Sequence, residues 1–199
     1  MRVAIAAFKD YLWYDVNSAE QLLKKIHAPP STNLFKALLP VGYFKGTILK
    51  PLKKHKPDVY IILGMWNGKY VKIESMVNNK MLILKNPFIQ FAVTVYGNIL
   101  RLFGRSIRTK KFIPEEELKR IPINASGPTS FLLSTQPTRI GSIRLSKDAG
   151  DFVCNYALWV VEEYLRKNKL KTEFYFLHLP EYLTKQQEQM VLSFIARFL

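Results

Sequence analysis

The sequence predicts an α/β fold: a three-layer α/β/α sandwich whose central sheet is mostly parallel and doubly wound. Three observations carry that prediction. Strand-like and helix-like stretches alternate along the chain, the pattern of repeated βα units. Two of the strand-like runs, 2–8 and 59–64, are almost wholly apolar, which suits strands covered on both faces. The chain has 199 residues, 48% of them hydrophobic, with thirteen Phe, ten Tyr and three Trp. That is enough for one well-filled core, and no internal repeat, low-complexity tract or linker divides it, so 1–199 reads as a single domain.

The elements follow in order. Residues 2–8 form the first buried strand. Asn17-Ser18 can cap a helix over 19–26, with Leu22, Leu23 and Ile26 on one face. Residues 34–41 are a second strand. Residues 45–55 are amphipathic, and Pro51 is expected to kink or shorten that helix. Pro57-Asp58 leads into the apolar strand 59–64. Residues 70–77 alternate as one strand that carries Glu74. Residues 80–84 and 91–96 are strand-like, 100–108 reads as a short basic helix, and 115–120 as a helical turn. Residues 141–146 are a short strand. A strong helix spans 151–167, with Cys154, Leu158, Val161 and Leu165 at helical spacing. A strand over 172–179 follows. Thr184 caps a final helix, 185–198, with Met190, Phe194 and Ile195 on its buried face.

Composition narrows the function. One cysteine excludes an internal disulfide and points to a reducing, cytoplasmic setting. The first strand begins almost at Met1, without the zones of a secretory signal, and the most apolar stretch, 87–100, is too short to span a bilayer. No membrane partner is therefore expected. The formal charge is +15, from 30 basic and 15 acidic residues. Such a field favours anionic partners, nucleic acid included. The basic residues are spread along the chain, and no signature of a nucleic-acid-binding fold accompanies them, so solvated helix faces explain them better. His27 ends a helix and His55 sits among lysines, and neither has cysteine or carboxylate spacing for a metal. No metal or other cofactor is implied.

The chemistry concentrates on Cys154 and His178. Cys154 lies at a strand-to-helix turn, Asp148-Ala149-Gly150-Asp151-Phe152-Val153-Cys154-Asn155-Tyr156. His178 ends the next apolar strand, followed by Leu179-Pro180. A thiol at a helix start and an imidazole at a strand end can meet at one edge of an open α/β sheet, the geometry a cysteine nucleophile needs. Taken alone, each has a plainer reading: a small buried hydrophobe for Cys154, a rim histidine for His178, an exposed strand residue for Glu74. The pairing tips the balance toward chemistry.

These residues carry a resemblance. Ala149-Gly150 followed by Phe152-Val153-Cys154-Asn155-Tyr156 resembles the nucleophile motif of the pyroglutamyl peptidase I (pyrrolidone carboxyl peptidase) family. His178-Leu179-Pro180 resembles its histidine motif, and Ile73-Glu74-Ser75 with Asn79 its glutamate motif. Leu39-Pro40-Val41, Lys56-Pro57-Asp58 and 127–135 match in family order, so the likeness covers most of the chain. It implies a phosphorylase/hydrolase-like α/β/α fold and a cytoplasmic cysteine omega-peptidase. Such an enzyme removes an N-terminal pyroglutamyl group, or a similar lactam or small acyl group, from a peptide with a blocked N-terminus. Glu74, Cys154 and His178 are carried over as the catalytic set. Phe8 and Tyr11 keep the spacing of the aromatic pair that sandwiches the lactam, and Phe152 and Val153 join them in substrate binding.

The departures are as informative. The proline and both glycines of the family's substrate loop are replaced in Phe8-Lys9-Asp10-Tyr11-Leu12-Trp13-Tyr14. The glycine-rich loop before the glutamate reads Gly64-Met65-Trp66-Asn67-Gly68-Lys69 and is a residue shorter. The family's arginine near the nucleophile has no clean counterpart. Lys85 lies one position off and is the candidate for an oxyanion or electrostatic role as a point charge. A basic, aromatic insertion around 88–112 is atypical, and 137–150 is too short for the family's helix there. A homo-oligomer stays open, but these peripheral changes do not carry the family's tetramer over. The alternative reading is a catalytically altered relative that acts as a basic binding protein for RNA or another anion. A retained triad favours the enzyme; the altered loop and the charge favour the alternative.

Overall fold

The first strand shows why the sheet forms. Val3 to Ala7 are fully buried on both faces, so β1 (Arg2–Phe8) can only be an interior strand. In the computed structural model, which describes residues 1–9, 16–85, 118–137 and 141–199, it is flanked by β2 (Asn33–Leu39) and β3 (Val59–Trp66), both parallel to it. The central sheet has six strands in the order β2-β1-β3-β10-β4-β9. β10 (Glu173–Pro180) runs parallel to β3. β4 (Lys72–Glu74) runs antiparallel to β10 and parallel to β9 (Arg144–Ser146), so the last pair points the other way. Two small antiparallel pairs stand outside the main sheet: β5 (Met76–Asn78) with β8 (Ser130–Leu132), and β6 (Met81–Leu84) with β7 (Leu118–Ile121).

Helices cover both faces. α1 (Ser18–Lys25) and α4 (Lys185–Ala196) lie on the face of Val3, Ile5, Ile61, Leu63 and Leu177. α2 (Lys45–His55) and α3 (Val153–Lys167) lie on the face of Ala4, Ala6, Tyr60, Ile62 and Phe176. The result is the three-layer α/β/α sandwich with a mostly parallel sheet. Caps fix the helix starts. The Asn17 side chain accepts from the Glu20 amide at 3.0 Å, and Thr184 and Gln187 form a capping box on α4.

Three expectations change. Pro51 sits inside α2, yet the helix runs its full length to His55. Residues 70–77 are not one strand. Ser75 divides them: its amide and hydroxyl donate to the Ser146 carbonyl, and its own carbonyl accepts from Leu133. The chain thereby passes from the main sheet at β4 to the small pair at β5. Within 115–120 the described residues form strand, not helix, because Leu118 to Ile121 pair with Met81 to Leu84. The expected elements at 91–96 and 100–108, and the insertion around 88–112, lie outside the described residues.

Sheet order also places the site. β1 has β2 on one side and β3 on the other, so the order reverses there. In open α/β sheets the crevice beyond the carboxyl ends of strands at such a point is where ligands bind. Phe8, Trp66 and Pro180 end the three neighbouring strands at that edge.

Candidate active site

β10 and β4 bring the first two side chains together. His178 pairs in register with Lys72, and Glu74 lies two residues further along β4 on the same face. Glu74 is fully buried and His178 only 3% exposed. Their side chains meet at 2.8 Å between His178 Nδ1 and Glu74 Oε1. This contact fixes the ring and leaves Nε2 for another partner. The edge of Phe176 stands against the imidazole, with centroids 5.0 Å apart.

Cys154 is the second residue of α3 and is partly exposed. Its thiol lies over Gly64 of β3. A Cβ built on Gly64 would stand 3.0 Å from Cys154 Sγ and 2.8 Å from Phe176 Cε1. Gly64 in turn pairs with His178. The sheet therefore carries the imidazole beside the thiol.

Electrostatics follow from that contact. Burial alone would push the His178 imidazole down. The Cys154 charge and hydrogen bond, then the hydrogen bond and charge of Glu74, outweigh it and raise the imidazole to about 9. The imidazole is therefore held protonated at neutral pH, buried between the Cys154 sulfur and the Glu74 carboxyl. The α3 N-terminus acts on the thiol. Phe152 at the N-cap provides no side-chain cap and the first turn holds no acidic residue, so the helix's own side chains do not offset the positive end of its dipole near Cys154.

Neighbouring residues fix α3 in place. The Asn155 side chain, fully buried, accepts from the Asn78 amide at 3.1 Å and donates to the Asn78 and Lys80 carbonyls at 2.7 Å each. Asp151, just before the helix, is bound by Lys80 at 2.8 Å and Arg120 at 2.6 Å. Burial pushes its carboxyl up, but those two cations more than offset it and hold it below the usual range. Asn17 donates from Nδ2 to the Phe8 carbonyl at 2.8 Å while capping α1, which ties the end of β1 to the helix that follows.

A cleft of about 390 Å³ opens over the thiol. Phe8, Trp66, Phe152 and Val153 give it apolar walls, and Lys9, Lys72 and Asp148 give it charge. Of the residues expected from sequence, Glu74, Cys154, His178, Phe8, Phe152 and Val153 meet here. Tyr11 lies outside the described residues. Lys85 is exposed beyond β6 and does not line the cleft, and among the described residues the cations that line it are Lys9 and Lys72. Sequence reasoning missed Lys72, although its position two residues before Glu74 on a strand puts both on one face. It also missed that Gly64 must lack a side chain, and that Asn155 is a clamp. Among the described residues no group of three or more His, Cys, Asp or Glu could hold a metal ion, and no helix is long and apolar enough to cross a membrane.

The chain is similar to known proteins over most of its length. No protein-family profile matches the chain. Pyrrolidone-carboxylate peptidase 1 of Caldanaerobacter subterraneus is 23% identical over 199 aligned residues, covering 94% of this chain and 85% of the relative. Pyrrolidone-carboxylate peptidase of Thermoanaerobacter is 24% identical, covering 90% and 82%. A mutant pyrrolidone carboxyl peptidase from Pyrococcus furiosus superposes with a TM-score of 0.68 at 18% identity, covering 98% of this chain and 94% of that one. The pyrrolidone carboxyl peptidase of Thermococcus litoralis gives 0.67 at 16% identity, covering 98% and 90%. In sequence along nearly its whole length the chain is similar to pyrrolidone-carboxylate peptidases, and its fold is like theirs.

Proposed function

We propose that the chain is a cysteine peptidase that removes an N-terminal pyroglutamyl group from peptides, with Cys154 as nucleophile, His178 as acid and base, and Glu74 as the residue that positions His178. The observation that carries the reading is the buried 2.8 Å Glu74–His178 contact with the Cys154 thiol against the same ring. The likeness to pyrrolidone-carboxylate peptidases supplies the substrate.

The steps follow from the geometry. The Cys154 thiolate attacks the carbonyl carbon of the amide that joins the pyroglutamyl group to the peptide, forming a C–S bond. Negative charge builds on the carbonyl oxygen, and the backbone amides at the start of α3, that of Cys154 among them, can donate to it. The C–N bond then breaks as His178 passes its proton to the leaving amine. A thioester remains. Neutral His178 takes a proton from water, the hydroxide attacks the thioester carbon, and the C–S bond breaks. Free pyroglutamate leaves and the ion pair is restored. Glu74 holds Nδ1–H throughout, so the nitrogen facing the thiol is the one that exchanges protons. Phe8, Phe152 and Val153 take the flat lactam against apolar surface, and Tyr11 is the proposed second aromatic. A free nucleophilic thiol fits a reducing, cytoplasmic compartment.

A surface-binding role would give no reason to bury a carboxylate and an imidazole together, which costs desolvation of both. The deciding experiment is release of a fluorophore from a pyroglutamyl amide by the purified protein beside Cys154→Ser. Release that disappears in the variant is expected. No release, together with sluggish alkylation of Cys154 at neutral pH, would refute the peptidase reading.

A further inference from the structure

Five residues stand in one row across the sheet, on the α2–α3 face. Phe8 follows Ala7, the partner of Leu63, and so stands beside Gly64. Gly64 pairs with His178, His178 with Lys72, and Lys72 with Arg144. Cys154 Sγ lies over Gly64, between the Phe8 end of the row and His178. The row therefore has an aromatic end on the β1 side of the thiol and a cationic end on the β4–β9 side.

Both outer cations are spread over aromatic rings. Lys72 Nζ lies 3.5 Å from the Trp66 ring centroid, and the Arg144 guanidinium carbon lies 3.4 Å from that of Tyr70. The rings are linked, because Trp66 Nε1 donates to the Tyr70 carbonyl at 2.8 Å. Cations held this way keep their positive charge and are partly ordered in advance. Lys72 and Trp66 both line the cleft. The carboxylate on the cleft wall, Asp148, accepts from the Gly150 amide at 3.0 Å and from Asn78 at 3.3 Å, so it is occupied by its own surroundings.

The direction of a bound substrate follows from the proposed reaction, on which this inference rests. The leaving amine must lie against His178, which protonates it. The acyl group then lies toward Phe8, and the leaving peptide must run from β10 over β4 and β9. We propose that Lys72, backed by Arg144, is a specificity determinant that selects leaving peptides with carboxylate side chains in the first residues after the scissile bond.

The test uses the Cys154→Ser protein and calorimetry with two probes, pyroglutamyl-Glu-Glu amide and pyroglutamyl-Lys-Lys amide. At low salt the acidic probe should bind about tenfold more tightly, a contrast typical of close but solvated charge pairs, and ~0.5 M NaCl should largely erase it. Adding Lys72→Met and Arg144→Met should bring the ratio near one. Adding Lys50→Met and Lys54→Met, which remove the same charge from the exposed side of α2, should leave the ratio standing. Equal binding of the two probes would overturn the inference. So would a ratio that falls equally with either pair, since the overall positive field would then be its source. Turnover of a pyroglutamyl fluorophore amide by the unaltered protein is measured alongside. Its absence would count against the peptidase reading, while the binding contrast would still decide the role of Lys72.

Discussion

Gly64 and His178 show how much of the site is set by single residues. A methyl group at Gly64 would press on Cys154 Sγ at 3.0 Å and on the Phe176 ring at 2.8 Å, and neither neighbour is the free end of a flexible chain. Gly64→Ala should therefore displace the thiol from the imidazole. We expect turnover to fall by about a hundredfold or more, as for a misplaced nucleophile, with a stability loss of ~1–3 kcal/mol from overpacking. Near-normal turnover in Gly64→Ala would show that the thiol does not work from this position. At His178 the prediction is a pH dependence. Its imidazole is raised from the ordinary 6.5 to about 9, so the proton needed by the leaving amine is held until about pH 9. The rate constant kcat/KM should fall as pH rises through that value. The sign for stability is the same: the ring's contribution is fully present below 6.5 and is lost as pH rises through about 9. Glu74 supports the charged ring, so Glu74→Gln should move the basic limb of the rate profile to lower pH. A limb that stays in place would mean that Glu74 only packs against the ring.

At the scale of elements, α3 is held at its N-terminus from outside the helix. Asn155 makes three hydrogen bonds to the backbone around β5 and β6 from a fully buried position. Asn155→Ala would leave one amide and two carbonyls without those partners. The expected cost is ~2–4 kcal/mol, since each unmade buried bond costs on the order of 1–3 and water can enter in part. Alkylation of Cys154 by iodoacetamide should slow as well, because the helix start would no longer be fixed beside His178. Unchanged alkylation with lowered stability would confine Asn155 to a structural role. The strands and helices with a strong period were legible before folding: β1, β3, β10, α1, α3 and α4 lie within a few residues of their expected bounds. What periodicity could not show was hydrogen-bond partnership. Residues 70–77 alternate throughout, yet Ser75 gives its bonds to Ser146 and Leu133 and so splits the run between two sheets. Residues 118–120 fall in the expected helical turn 115–120 but form strand because β6 offers them an edge. Pro51 stayed inside α2, where Ile48, Leu49 and Leu52 are buried with it, so tertiary packing outweighed its local penalty. The same logic divides the site. Cys154 and His178 announced themselves by residue type and local motif. Lys72 had no motif, and the row it shares with His178 and Arg144 exists only once β10, β4 and β9 are adjacent.

At the scale of the whole molecule, one contact joins positions 104 residues apart in the chain, Glu74 and His178, and the sheet order makes it possible. The charge acts at this scale too. A formal +15 on 199 residues is a repulsive field that the folded chain must confine. Opposing it are surface ion pairs such as Arg2–Asp58, Lys25–Glu188 and Lys45–Glu163, each with a side chain about half exposed to solvent. Exposed pairs of that kind are worth about 0–1 kcal/mol apiece, and salt weakens them. Salt also screens the repulsion, which is summed over many more like-charged pairs within a Debye length of ~10 Å at 0.1 M. The repulsion should dominate, so raising NaCl from ~0.02 to ~0.3 M should stabilise the fold by about 1 kcal/mol, or about 2–4 °C in Tm for a chain of this size. Differential scanning calorimetry across that range checks it. A Tm that falls with NaCl would mean that the ion pairs outweigh the net charge, and that the basic residues are arranged for mutual compensation within the fold. A Tm that rises would leave much of the positive charge uncompensated at the surface, free to draw acidic peptides toward the cleft.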